Sequence, residues 1–181
     1  MKTTVVVYKS KYGATEKYAQ WIAADLDADV FESSQISASD LENYTVVIFG
    51  GGLYINKLNG LNFFHRFYRV LKDKKLLIFS CGMSDPGNER GAQRIKDAIL
   101  KKIPQGMKDS VKIFHVRGGV TYAGMNFFDN FIMKMMERLV KSIAPPALSE
   151  EQKEIAAVLG NDFDFSKRET ISPIVEYVKA G

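Results

Sequence analysis

The chain has 181 residues, a length that suits one domain built around a full hydrophobic core. Hydrophobic residues make up 46% and charged residues 25%, which argues against a disordered or fibrous chain, and no apolar run is long enough to span a bilayer. Net charge is +4, but Lys and Arg are scattered rather than gathered in one stripe, so no nucleic-acid partner is expected.

In chain order, the β-branched run at residues 3–8 predicts a first strand. The turn Ser10-Lys11-Tyr12-Gly13-Ala14-Thr15 follows, then a helix over 15–26 with Tyr18, Ala19, Ile22, Ala23 and Leu26 on one face. Residues 29–31 read as a short second strand. A third runs over 45–49 and ends in Gly50-Gly51-Gly52; a helix is expected at 61–71. The fourth strand, 76–80, ends in Cys81-Gly82, with a helix at 89–103. The fifth, 111–116, ends near Gly118-Gly119. Helical spacing returns at 126–142, 150–159 and 172–179, with Pro145-Pro146 breaking the pattern between the first two of these. Apolar strands alternating with helices predict an α/β fold: a doubly wound, five-stranded parallel sheet with helices on both faces. We expect one domain over residues 1–181, with an elaboration at about 123–165.

The turn at 10–15 carries the most chemical information. A strand running into a helix aims backbone N–H groups and the positive end of the helix dipole at one point, which suits a phosphate. The Lys and Mg-binding hydroxyl of a P-loop are missing, and of a G-x-G-x-x-G dinucleotide fingerprint only Gly13 is present. An ordinary strand-to-helix turn capped by Thr15 is the plainer reading. Ser10, Gly13 and Thr15 nevertheless match the T-x-T-G-x-T phosphate loop of flavodoxins, with Tyr12 departing from it. The form S-K-Y-G-A-T resembles one flavodoxin subgroup, which includes the menaquinone-dependent protoporphyrinogen oxidase.

That resemblance implies a flavodoxin-like strand order of 2-1-3-4-5, with FMN bound noncovalently at the carboxyl ends of the strands. It assigns the phosphate to Ser10, Lys11, Tyr12, Gly13, Ala14 and Thr15. Gly50, Gly51, Gly52, Leu53 and Tyr54 fall where flavodoxins touch the reactive edge of the ring; there a glycine peptide rotates to meet reduced N5. Tyr54 is either a flavin contact or an ordinary core or surface aromatic. Ser80, Cys81, Gly82 and Met83 fall on the pyrimidine side, and Gly118, Gly119 and Tyr122 in the third loop, with Arg117 and Tyr122 at the substrate mouth. Cys81 reads as a small buried hydrophobe or, less simply, a redox thiol. His65 and His115 read as packing or surface residues. One cysteine excludes an internal disulfide and CxxC metal spacing, so no metal site is assigned. No side chain is assigned a catalytic role: the flavin carries the chemistry.

The helix at 126–142 has a broad apolar face, with Lys134, Arg138 and Lys141 on its polar side. It reads either as a cover packed on the sheet or as a surface touching a membrane or quinone. Its F-F-D-N-F-I-M-K-M-M run, and the later Asp164-Phe165-Ser166-Lys167-Arg168, resemble stretches of the heme-pathway oxidase. The expected function is electron transfer or flavin oxidoreduction, resembling protoporphyrinogen oxidase with a quinone or other small-molecule substrate. The alternatives are an electron carrier serving a redox partner protein and a flavin-free signalling module on the same scaffold. Met1-Lys2 leads straight into a strand, so a cytoplasmic protein is expected, peripheral at the membrane if 126–142 touches it.

Overall fold

The computed structural model describes residues 2–54, 57–122, 125, 127–142, 148 and 150–180. Five parallel strands form its centre: β1 (Thr4–Lys9), β2 (Asp29–Glu32), β3 (Val46–Tyr54), β5 (Lys75–Gly82) and β6 (Lys112–Arg117). Their spatial order is β2-β1-β3-β5-β6, the doubly wound arrangement of a flavodoxin-like sheet. A two-residue strand, β4 (Lys57–Leu58), turns back antiparallel on Leu53 and Tyr54.

Alternation along the central strands builds a core on each face of the sheet. Val5, Val7, Val47, Phe49, Leu76 and Ile78 enter one apolar cluster. Val6, Ile48, Leu77, Phe79 and Cys81 enter the other. The first face is covered by α2 (Ala38–Glu42), α3 (Asn62–Arg66), α4 (Tyr68–Leu71) and α5 (Glu89–Leu100). The second is covered by α1 (Ala14–Leu26) and α8 (Ser172–Lys179). Helix α1 buries Tyr18, Ala19, Ile22 and Ala23 and ends at Asp27, which sits at φ 46 while a neighbouring N–H returns to Ala23.

The third strand departs from the sequence reading. Three glycines read as the loop after residue 49, yet β3 continues through them to Tyr54. Gly50 and Gly51 pair with β1 on one side and β5 on the other. The reason is steric: a Cβ on Gly50 would lie 2.1 Å from Cζ of Phe79, so the glycine leaves room for that ring. A peptide held on both sides in the ladder is not free to rotate, and the rotating-peptide expectation at Gly50 and Gly51 has no loop to act in.

Beyond the sheet, β7 (Gly119–Val120) pairs antiparallel with β8 (Phe163–Asp164). Between them the chain forms α6 (Phe127–Ser142) and α7 (Glu150–Val158). Pro145-Pro146 and Asn126 lie outside the described residues.

Candidate functional site

In a parallel sheet all carboxyl ends face one edge, and ligands of this architecture collect there. A cavity of about 510 Å³ opens at that edge. Its first wall is the β1–α1 turn. Gly13 caps α1 at φ 87, a left-handed value that a residue without Cβ takes at little cost. Its N–H donates to Ser10 Oγ at 3.1 Å. No side chain caps α1, and the first intrahelical bond runs from Lys17 N to Gly13 O at 2.9 Å. The N–H groups of Ala14, Thr15 and Glu16 therefore have no helix carbonyl to meet. Ser10, Tyr12, Ala14 and Thr15 line the cavity; Gly13 shapes the turn from behind.

Lys11 is not among the residues that line the cavity. Its ammonium pairs with Asp129 on α6 and lies 5.5 Å and 5.6 Å from the ring centroids of Tyr12 and Tyr54. The Tyr12 hydroxyl donates to the same Asp129 carboxylate. The β1–α1 turn is thus tied to the helix that covers the cavity.

Gly52, Leu53 and Tyr54 form the second wall, whereas Gly50 and Gly51 stay inside the sheet. Tyr54 meets Tyr12 edge to face at 6.0 Å. Burial pushes the Tyr54 phenol up to about 12, and burial followed by the bond to Asp129 raises that of Tyr12 further. Both are neutral hydrogen-bonding groups at physiological pH.

Cys81, Gly82, Met83 and Ser84 form the third wall. Burial pushes the Cys81 thiol up to about 12, opposed by a hydrogen bond from Thr15, so the sulfur is an apolar contact rather than a thiolate. Ser80 is buried off the cavity and bonds His115 Nδ1 at 2.5 Å. His115 Nε2 donates to Ala92 O at 3.0 Å, which leaves Nδ1 as acceptor; burial lowers its basicity. His115 is a satisfied structural histidine.

Gly118, Gly119 and Val120 supply the fourth wall, with Gly118 N donating to Gly82 O at 2.7 Å. Tyr122 braces this loop from outside: its hydroxyl accepts from Gly160 N at 2.9 Å and its N–H donates to Asp162 at 2.7 Å. Arg117 also braces rather than facing the mouth. Its Nε donates to Met83 O at 3.0 Å, Nη1 reaches Glu154 on α7 at 2.8 Å, and the guanidinium lies 3.9 Å from the Phe165 ring centroid.

Of the cover, the sequence pattern places Met133 and Met135 on the apolar face of the 126–142 helix, but it assigns no site role to Met125, Asp129 or Ile155. Met125, Asp129, Met133 and Met135 close one side, and Ile155 of α7 another. Asp129, a carboxylate in the first turn of that helix, is the signal for its polar contact with the β1–α1 turn. Among the described residues no group of three or more His, Cys, Asp or Glu is placed to hold a metal, and no helix is long and apolar enough to cross a membrane.

The flavodoxin domain profile matches residues 5–142. The chain belongs to the flavodoxin domain family. This flavodoxin domain is 36% identical over 78 residues to an uncharacterized protein of Methanocaldococcus jannaschii. That match covers 42% of the chain and 51% of the relative, so the chain spans about half of that protein's length. Among solved structures it is similar to the two-electron reduced flavodoxin of Megasphaera elsdenii, at 20% identity and a TM-score of 0.44, covering 62% of this chain and 82% of that one. It is also similar to the Trp repressor binding protein of Bacillus subtilis, at 18% identity and a TM-score of 0.48, covering 67% and 86%. A Lactobacillus acidophilus flavoprotein in complex with FMN aligns at 14% identity and a TM-score of 0.43, covering 65% and 93%. FMN is the cofactor of this flavodoxin domain, and the residues present fit it: a helix end with unpartnered N–H groups for the phosphate, and a slot of leucine, methionine and tyrosine for the ring.

Proposed function

We propose that the protein is an FMN-dependent oxidoreductase that acts on an apolar small-molecule substrate. The observation that carries this reading is the cavity itself, open at the uncapped end of α1 and with Leu53, Tyr54, Met83, Met133 and Ile155 among its walls. Bound FMN supplies the one- and two-electron chemistry that no side chain here provides. Ser10 and Thr15 add hydroxyl donors at the phosphate end. Tyr12 and Tyr54 stay protonated and offer ring edges and neutral hydroxyls. Met125 and Met133 exclude water on the covered side; thioethers adapt to flat partners of varied shape.

The narrower reading is a protoporphyrinogen-oxidase-like reaction, in which a porphyrinogen is the electron donor and quinone the acceptor. The oxidation proceeds in successive two-electron, two-proton steps, each of which reduces a separate quinone to a quinol. The reading draws support from the resemblance of residues 126–142 and from the apolar cover they form. The test is to identify the released cofactor by mass spectrometry, reduce the holoprotein anaerobically, and compare re-oxidation by a soluble menaquinone analogue with re-oxidation by oxygen and by a redox protein. Fast re-oxidation by the quinone alone supports the reading. Fast re-oxidation by the protein partner alone makes this an electron carrier, and a chain that takes up no flavin defeats both.

A further inference from the structure

A second concavity lies across Tyr54 from the first. Its volume is about 740 Å³, and its walls come from β4, the hairpin after it, α3 and the end of α5. Leu58, Leu61 and Ala98 give it an apolar floor. Lys57, Lys101 and Lys102 also line it, with Asn59 and Asn62, and among the described residues no carboxylate does.

The charge balance of the two cavities differs. No described lysine or arginine lines the first cavity, and Lys11, whose ammonium lies beside its wall, is paired with Asp129. Around the second, Lys57, Lys101 and Lys102 make no ion pair with any described residue. Like charges gathered in a concave, partly apolar site focus a positive potential and gain from an anion. The site is also firmly built. Asn59 N donates to Gly52 O at 2.9 Å, Phe63 N to Gly60 O at 3.0 Å, and the His65 ring bonds the Lys102 carbonyl at 2.8 Å. The hairpin that forms its floor is paired to Leu53 and Tyr54, the residues that wall the first cavity.

We propose that this cleft is a second ligand site, for a small organic anion with an apolar body and a carboxylate or phosphate group. The floor takes the body, the amides and lysines take the anionic group, and Tyr54 is the partition shared with the first site. The binding stands on its own; a redox role for the bound anion rests on the functional reading above.

The test uses the full chain loaded with FMN, so that the first cavity is filled. The probe is 8-anilinonaphthalene-1-sulfonate, followed by fluorescence, with binding located by amide NMR shifts. The expected result is a single saturable site with shifts at Leu58, Asn59 and Ala98, weakened about tenfold or more by the triple change Lys57→Gln, Lys101→Gln, Lys102→Gln. Displacement by 2-naphthoate against 2-naphthyl phosphate tells which anionic group is preferred, and neutral 2-naphthol should not compete. Equal affinity in the triple variant, or shifts confined to residues 127–142, overturns the proposal. Repeating the titration without FMN separates the two ideas: anion binding retained in a chain that takes up no flavin removes only the functional reading.

Discussion

The floor of the site and its cover are built on opposite plans. The floor is the parallel sheet, where Val5, Val6, Val7, Ile48, Phe49 and Ile78 have no accessible surface and every strand is held by neighbours. The cover is α6, which sends Met133 inward but leaves Phe131 57%, Met135 47% and Leu139 57% exposed on one stripe. Among the described residues its small apolar cluster has Val120, Met133 and Leu159 as buried members. The floor is stabilised by burial and resists change. The cover depends on a few polar ties, such as those between Asp129, Lys11 and Tyr12, and can be altered without unfolding the sheet. The β1–α1 turn starts from the rigid half and is tied to the adaptable one through Asp129.

The sharpest way to break this contrast is in the floor. Gly50→Ala drives a methyl group into the Phe79 ring and should cost about 3 kcal/mol of stability in urea unfolding, at the high end for overpacking. Adding Phe79→Leu should recover part of that loss. A neutral Gly50→Ala would mean that the ring has space the packing denies.

Next in size is the turn. Gly13→Val must hold a β-branched residue at φ 87, a strain of about 1–2 kcal/mol, and FMN should bind on the order of tenfold more weakly in a flavin-quenching titration. Lys11→Ala, whose side chain points to Asp129, should stay within about threefold of wild type. Equal FMN affinity in both variants would move the phosphate away from this turn.

The cover should respond more gently. Asp129→Asn removes the carboxylate shared by Lys11 and Tyr12; the stability loss should be about 1 kcal/mol or less, because Lys11 is partly exposed. Limited proteolysis within α6 should nevertheless speed up. Unchanged cleavage would show that the tie does not hold the helix.

At neutral pH the buried acids on the floor contribute nothing to titration, but alkali should expose them. Cys81 is raised from 9.0 to about 12 and Tyr54 from 10.0 to about 12, both first by burial. The unfolded chain releases these protons earlier than the folded one. Stability should thus be intact below pH 9 and fall between pH 9 and 12, and Cys81→Ala should flatten the onset of that fall. The smallest effect belongs to the outer stripe. Lys134→Gln with Arg138→Gln should leave stability within about 0.5 kcal/mol, as exposed substitutions do, while weakening sedimentation with anionic liposomes. If liposome binding is absent in both proteins, the stripe serves some surface other than a membrane.

The sheet was legible in the sequence because its signals are local: β-branched runs such as Val5-Val6-Val7, spaced by helical periods, leave few other solutions. Strand order rested on the resemblance carried by Ser10, Gly13 and Thr15 rather than on any run. What stayed illegible depends on partners distant in the chain. Nothing near Gly50 announces that Phe79 will fill its space, so three glycines look like a break. Lys11 looks like a phosphate ligand until Asp129, 118 residues away, is seen beside it. Two-residue strands such as β4 and β7 carry too little pattern to stand out from loops.

Arg117 has a consequence for how such a pocket can diversify. One guanidinium meets the Met83 carbonyl, the Glu154 carboxylate and the Phe165 ring, in directions fixed by a planar group. The loop after β5, the helix α7 and the segment after β8 are therefore registered to a common origin. A substitution that shifts one of them drags on the other two, so enlarging the chamber for a bulkier guest requires coordinated change in three places. A lysine, offering a single point of charge, could not keep that registration. Variation in ligand choice is left to the parts Arg117 does not touch: the methionines of α6 and the rim at Tyr54.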